Sequence, residues 1–234
     1  MPHPLQTYYS RIYRSYDLVN TLFTFGLDRK WRRFTAQKCL ESKPLQVVEL
    51  CCGTGDLAIA ISRQADEKVS ITGYDLNAEM LALAREKASL LAHPPFFMRG
   101  DAASMPFDSD SVDCITVGFG FRNLTWENPL RDGFIGEMKR VLKPGGRLLI
   151  LESARPENKV IAWLYDLYLR LILIPLGGLI SGNHEAYRYL AGSSSDFYPF
   201  HELQAMLQNH HLSLKKERIF LFGSVNLLIA TKIP

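Results

Sequence analysis

The sequence predicts an α/β fold: a doubly wound, mainly parallel, seven-stranded sheet with helices on both faces. Three observations carry this. Short apolar runs alternate with helical patterns from Val47 to Glu152, the signature of parallel strands joined by crossover helices. The first run ends in Gly53-Thr54-Gly55, a tight turn leading into the helical pattern Leu57, Ala58, Ile59 and Ile61. Near the end, Ser213 to Leu221 and Val225 to Lys232 are joined by Phe222-Gly223-Ser224, a short glycine-containing loop that favours a hairpin and hence one antiparallel strand.

Before the first strand, residues 5–40 carry helical spacing rich in aromatics, including Tyr8, Tyr13, Tyr16 and Phe23. Gly26 is expected to end one helix, and Asp28 to cap a second that runs to Cys39. The aromatic stripe is either core packing or a lid over an apolar substrate. Arg29, Lys30, Arg32 and Arg33 form a basic cluster around Trp31, which is either a solvated helix face or a contact for anionic lipid headgroups.

Glycines at 53 and 55 suit a turn that bends sharply and approaches a ligand closely. Gly53-x-Gly55-x-x-Ala58 formally fits a dinucleotide fingerprint, but loosely. A pyrophosphate would sit among Glu49 and Asp56, with no Lys or Arg between residues 44 and 62. Like charges so close repel, and a ligand bearing ammonium and sulfonium cations fits better. Glu49 therefore points to S-adenosylmethionine rather than NAD; a turn with no ligand is the plain alternative.

The second strand, Val69 to Asp75, also ends in an acid, placed to accept both ribose hydroxyls of an adenosine ligand. The competing role for Asp75 is at the start of the helix from Ala78 to Leu91, although Asn77 can supply that cap. Phe96 to Arg99 is the third strand, and Asp101, in the turn Gly100-Asp101-Ala102, is placed to accept from an adenine amino group. After the fourth strand, Ser111 to Val117, the loop Gly118-Phe119-Gly120-Phe121-Arg122-Asn123 lies at the carboxyl edge of the sheet, where such folds bind ligands. A helix from Leu130 to Leu142 is stopped by Lys143-Pro144-Gly145-Gly146, and Arg147 to Glu152 is the fifth strand.

The segment from Lys159 to Ile180 is apolar and close to transmembrane length, yet Asp166 and Arg170 interrupt it and Pro175 with Gly177-Gly178 is expected to break it. It reads as a surface for a bilayer or a lipid tail, or equally as a helix buried against the domain. We expect a single domain over residues 1–234, with N-terminal helices at 1–42 and a helical substrate-cap insertion at 157–190.

The chain has 234 residues, 47% of them hydrophobic and 22% charged, enough for a core without disulfides. A net charge of +3 is too small to argue for nucleic acid. The first twenty residues contain Arg11, Arg14 and Asp17 and no apolar h-region, and the four cysteines show no metal or redox spacing. A cytoplasmic protein is expected, with contact to the inner face of the membrane open. The histidines show no ligand spacing, so no metal is implied.

These residues resemble the S-adenosylmethionine-dependent C-methyltransferases of menaquinone and ubiquinone synthesis, class I methyltransferases with a Rossmann-like sheet. Tyr16-Asp17-Leu18-Val19-Asn20 with Trp31 is similar to the family's N-terminal signature. Gly53-Thr54-Gly55-Asp56-Leu57 is similar to its cofactor turn, Phe119 to Asn123 to its loop after strand four, and Arg140 to Arg147 with Leu151-Glu152 to its second signature. Tyr187-Arg188-Tyr189-Leu190 stands where the family has the same four residues. The chain departs from the family at Val19, Thr24 and Asp28, where methionine, serine and histidine are usual. It departs again at Gly118, where serine is common, and at Ser153-Ala154, where Phe-Ser is usual.

The resemblance implies methylation of a prenylated quinol, foremost demethylmenaquinol, with a homo-oligomer open. It implies Glu49, Gly53, Thr54, Gly55, Asp75, Leu76, Asp101, Ala102 and Gly118 at the cofactor, and Tyr16, Asn20 and Tyr187 at the substrate. A quinol carbon becomes nucleophilic when the neighbouring hydroxyl, with a pKa of about 10 like any phenol, loses its proton. Arg122, permanently charged, is the expected stabiliser of the phenolate; Asn123 would orient the ring or a water. The competing role for Arg122 is an ion pair stapling its loop to Glu152 or Asp75. Two rival readings stay open: another class I methyltransferase of a lipid or small phenol, and a scaffold that binds S-adenosylmethionine or NAD without turnover.

Overall fold

The structure, a computed structural model, describes Tyr13 and residues 16–233. Two helices come first, α1 (residues 16–23) and α2 (Leu27–Leu40). Then follow β1 (Gln46–Leu50), α3 (Asp56–Ser62), β2 (Ser70–Asp75), α4 (Ala78–Ala88), β3 (Phe96–Arg99), β4 (Val112–Gly118), α5 (Phe121–Thr125), α6 (Arg131–Val141) and β5 (Leu142–Ser153). A helical segment intervenes, with α7 (Lys159–Tyr168), a π-helical turn (Leu169–Leu173), α8 (Ile174–Ser181), α9 (His184–Ser195) and α10 (Phe200–Gln208). β6 (Leu212–Phe220) and β7 (Val225–Lys232) close the chain.

The seven strands lie in the order β3-β2-β1-β4-β5-β7-β6. β1 to β5 run parallel, and β7 pairs antiparallel with both β5 and β6. The order reverses at β1, so the ends of β1 and β4 open a crevice there. Both faces of the sheet are covered. Leu148 and Ile150 pack into one apolar cluster, Leu149 and Leu151 into the other. Burial on both sides explains why β5 reads as an unbroken apolar run rather than an alternating one.

Four expectations are corrected. β5 starts at Leu142, so Lys143-Pro144-Gly145-Gly146 lies inside the strand, and an irregular register between Val112 and Cys114 accommodates it. Asp28 does not cap α2: Gly26, left-handed at φ 71°, holds that position, and Asp28 sits buried in the first turn, paired with Arg32. Arg122 and Asn123 lie on the short helix α5 rather than in a loop. Finally, residues 159–181 form one continuous helix despite Pro175. The π turn just before it shifts the pairing, with Ile174 N–H bonded to Leu169 O, and absorbs the misfit that proline would otherwise cause. Gly177 and Gly178 do not break this helix but let α9 approach it. A Cβ on Gly177 would come within 2.5 Å of the Tyr187 ring, and one on Gly178 within 2.1 Å of His184.

Candidate active site

At the end of β1 the chain turns through Gly53 and Gly55, both left-handed, at φ 53° and 77°. Gly55 owes its identity to packing: a Cβ there would meet the Phe97 ring at 2.8 Å and Ala84 at 2.9 Å. Gly53 donates its N–H to Asp75 Oδ2 at 2.8 Å. The other oxygen of Asp75 accepts from Asn77 N at 2.8 Å, while Asn77 caps α4 by accepting from Met80 N at 2.9 Å. The two acidic-end positions thus divide their labour: Asn77 starts the helix and Asp75 faces the turn. Burial raises the Asp75 carboxyl from its ordinary value, and the N–H groups of Asn77, Gly53 and Leu76 oppose that rise.

A cavity opens beside these groups, lined by Gly53, Asp75, Leu76, Asp101, Ala102, Gly118 and Asn123, with Met80, Leu124 and Phe134 as apolar walls. Among the described residues its charged lining consists of Asp75 and Asp101, without Lys or Arg. An anionic pyrophosphate would meet only carboxylates here, whereas a sulfonium with an ammonium group would be attracted. The residues present therefore fit S-adenosylmethionine: Asp75 and Asp101 offer acceptors, and Leu76 and the apolar walls offer a face for a planar base.

Three expected cofactor residues stand behind this wall rather than in it. Glu49 is buried and accepts from Ala58 N at 2.7 Å, fixing the start of α3. Burial pushes its carboxyl up to about 8, against the Ala58 hydrogen bond and the Arg32 charge, which pull it down. Near neutrality the side chain is thus mostly protonated, and the carboxyl groups that border the cavity itself are those of Asp75 and Asp101. Gly55 lies under Phe97. Thr54 donates its hydroxyl to Asp17 Oδ1 at 2.6 Å, and Lys87 reaches Asp17 Oδ2 at 2.8 Å, so the tip of the turn fastens α1.

A second cavity adjoins the first. Tyr16 and Phe119 line both, and Tyr16, Asn20, Tyr187 and Arg122 come together around the second. Asn123, beside Arg122 in sequence, lines the first instead. Arg122 and Glu152 are each only 2% exposed, and the guanidinium Nη1 lies 3.0 Å from Glu152 Oε1. Arg122 Nη1 also donates to Ser153 Oγ at 2.5 Å, and Arg122 N to Glu152 Oε2 at 3.1 Å. The expected staple is present, and the same side chain lines the cavity.

Sequence reading missed several groups at this second cavity. Phe119, left-handed at φ 59°, packs against Trp31 and separates the two cavities. Tyr165, Ser194, Leu169 and Leu173 come from the helical segment after β5. Burial pushes the Tyr165 hydroxyl up to about 12 despite the nearby Arg122 charge. The only sequence signal for these residues was the apolar helix that carries most of them, since nothing in its spacing marks which face turns inward.

The geometry can be set beside known proteins. A family model described as the ubiE/COQ5 methyltransferase family matches residues 3–232. The demethylmenaquinone methyltransferase of Thermus thermophilus is 39% identical over 216 residues, covering 92% of this chain and 95% of that protein. The protein of the same name from Deinococcus radiodurans is 36% identical over 228 residues, covering 97% and 92%. A ubiquinone/menaquinone biosynthesis C-methyltransferase from Hahella chejuensis is 37% identical over 206 residues, covering 86% and 80%. Among solved structures, a SAM-dependent methyltransferase from Aquifex aeolicus shares the fold, with a TM-score of 0.56 at 20% identity over 85% of this chain and 89% of that one. With a glycine turn closed by Asp75, a carboxylate-lined cavity and nearly the whole chain matched, this protein belongs to the ubiE/COQ5 methyltransferase family.

Proposed function

We propose that this chain methylates a ring carbon of a prenylated quinol, foremost demethylmenaquinol, during menaquinone synthesis. One observation carries the reading: a cavity lined by carboxylates and a cavity holding Arg122 meet at Tyr16 and Phe119. S-adenosylmethionine, when bound, supplies an electrophilic methyl group. The chain's own residues do the rest. Arg122, already desolvated and held by Glu152, presents positive charge where a quinol oxygen ionises, and a charge in so dry a place acts far more strongly than in water. Asn20, Tyr187 and Tyr16 hold the ring, and Phe119 keeps water out of the junction. Positioning of this kind supplies much of the acceleration.

The helical segment after β5 fits the lipid end of such a substrate. Leu169 and Leu173 line the Arg122 cavity from inside, while Trp163 and Leu179 on the same continuous helix are 62% and 74% exposed. Tyr168 donates to Phe23 O at 2.7 Å, so the end of α1, with Leu22 and Phe25 exposed, abuts α7. An apolar outer face directly over the substrate cavity suits peripheral contact with a bilayer, from which a prenyl chain can enter.

The test is turnover: purified protein, S-adenosylmethionine and demethylmenaquinol, followed by mass spectrometry. Gain of one methyl with equimolar S-adenosylhomocysteine is the expected outcome. Failure to methylate this quinol, alongside methylation of a non-prenylated phenol, would replace the substrate assignment.

A further inference from the structure

We infer that Ser153 and Glu152 form a proton relay that carries the substrate's hydroxyl proton through β5 into a separate cavity on its far side. The inference rests on the quinol reading above. Methylation at carbon releases one proton per turnover. The hydroxyl proton leaves first, the carbon-bound proton leaves after the new C–C bond forms, and the ring oxygen is then protonated again. A buried site needs a path for this.

Few groups lining the Arg122 cavity can take a proton. Arg122 itself cannot, because a guanidinium has no free acceptor lone pair. Tyr165 and Tyr168, both pushed up to about 12 by burial, form no lasting phenolate, and neither lines the far cavity to pass a proton on. Asp28 is paired with an arginine and a hydroxyl, as Glu152 is, but unlike Glu152 it lines no part of the far cavity. Ser153 is different. Its hydroxyl accepts from Arg122 Nη1 at 2.5 Å and donates to Glu152 Oε1 at 3.1 Å. A serine oxygen has a second lone pair, which the Ser194 hydroxyl approaches at 3.4 Å and a substrate hydroxyl can take over, since Ser153 and Ser194 both line the Arg122 cavity.

Ser153 and Glu152 also line the far cavity, a space of about 580 Å³ between β5, β7 and α10. Across the antiparallel ladder Glu152 pairs directly with Asn226, so the two side chains share one face of the sheet. Asn226 Oδ1 is buried, lines that cavity and has no hydrogen-bond partner among the described residues. A buried amide oxygen in a polar, roomy cavity is where water is held, and water is the acceptor the relay needs at its outer end. The substrate O–H breaks as Ser153 Oγ takes its proton; the serine O–H breaks as Glu152 Oε1 takes that one; Glu152 then releases a proton to water. The electron pair left on the substrate oxygen raises the ring carbon's nucleophilicity.

The experiment compares Ser153→Ala, Ser153→Thr, Asn226→Leu and Asp28→Asn by steady-state kinetics in H2O and D2O. Ser153→Ala should lower kcat by about 10- to 100-fold, the usual range for lost proton transfer, with the KM for quinol within about twofold and a larger solvent isotope effect on kcat. Ser153→Thr should restore the rate, and Asn226→Leu, acting from the far side, should give the same signature. Binding of 1-naphthol, read by its own absorbance, should weaken in Ser153→Ala by no more than about tenfold, the loss of one neutral hydrogen bond. Wild-type kcat and isotope effect in Ser153→Ala would overturn the relay, as would a loss confined to Asp28→Asn. A wild-type protein that methylates no quinol would instead overturn the function on which the relay rests.

Discussion

Asp75 closes β2 onto the turn after β1 by accepting the Gly53 N–H at 2.8 Å. One carboxylate thus shapes the turn and supplies charge to the cavity it borders. Asp75→Ala leaves the N–H groups of Gly53 and Asn77 without their acceptor and removes one of two negative charges facing the ligand. Losing a hydrogen bond to a charged group costs about 1.5–3 kcal/mol, so affinity for S-adenosylmethionine should fall roughly 10- to 150-fold. Calorimetry measures this, and an Asp75→Ala protein of undiminished affinity would remove the cofactor assignment.

Glu49 makes folding pH-dependent. Its carboxyl rises from 4.5 to about 8 on burial, so between those values the folded protein keeps a proton that the unfolded chain has lost. Its stabilising contribution is complete below the unfolded value and is lost as pH rises toward the folded one, by at most about 1.4 kcal/mol per pH unit. Denaturant melts at stepped pH should show this decline, and Glu49→Gln should flatten it. A bound cation would also favour the ionised form, so binding of S-adenosylmethionine at pH 7 should release protons, seen as a heat that differs between phosphate and Tris buffers.

The sheet was legible because parallel strands buried on both faces leave long apolar runs, and β3 and β7 fall where the runs predict. The site was legible where a carboxylate ends a strand, as at Asp75. It was not legible at Glu49, whose burial raises its carboxyl to about 8, nor at Thr54, whose partner Asp17 is distant in sequence. Pro175 misled for a local reason: a π turn placed just ahead of it removes the hydrogen bond that proline would have broken, and no propensity registers that arrangement.

Asp17 ties α1 to the cofactor turn through Thr54 and Lys87, and α1 carries Tyr16, which lines both cavities. Lys87→Met should loosen this helix. Its ion pair with Asp17 is about a third exposed, so the cost should be modest, about 1 kcal/mol or less. We expect faster amide exchange over residues 16–23 and a weaker KM for both substrates, with salt mimicking the substitution in the unaltered protein.

The outer face of residues 159–181 should bind lipid. Trp163→Asp with Leu171→Asp places two charges where exposed apolar side chains now stand. Flotation with phosphatidylglycerol-containing vesicles should be lost in the double variant, while turnover of a short-chain, water-soluble quinol should persist. Retained flotation would refer membrane contact to another surface.

Arg122 and Glu152 offer a way to separate what a buried pair does for the fold from what it does for the reaction. Their side chains are equally buried and directly bonded. Arg122→Met strands the Glu152 carboxylate without its partner, which costs about 3–5 kcal/mol for a pair broken on one side. Adding Glu152→Gln removes the stranded charge, so the double variant should recover most of that stability, because a matched neutral pair escapes the desolvation that charges suffer. Activity should not recover with it, since methionine brings no charge to an ionised quinol oxygen and glutamine cannot take the proton passed on by Ser153. Urea unfolding and quinol turnover, measured on all four members of the cycle, give the answer: if turnover returns together with stability, Arg122 serves only to hold α5 against β5, and the charge that ionises the substrate must come from elsewhere.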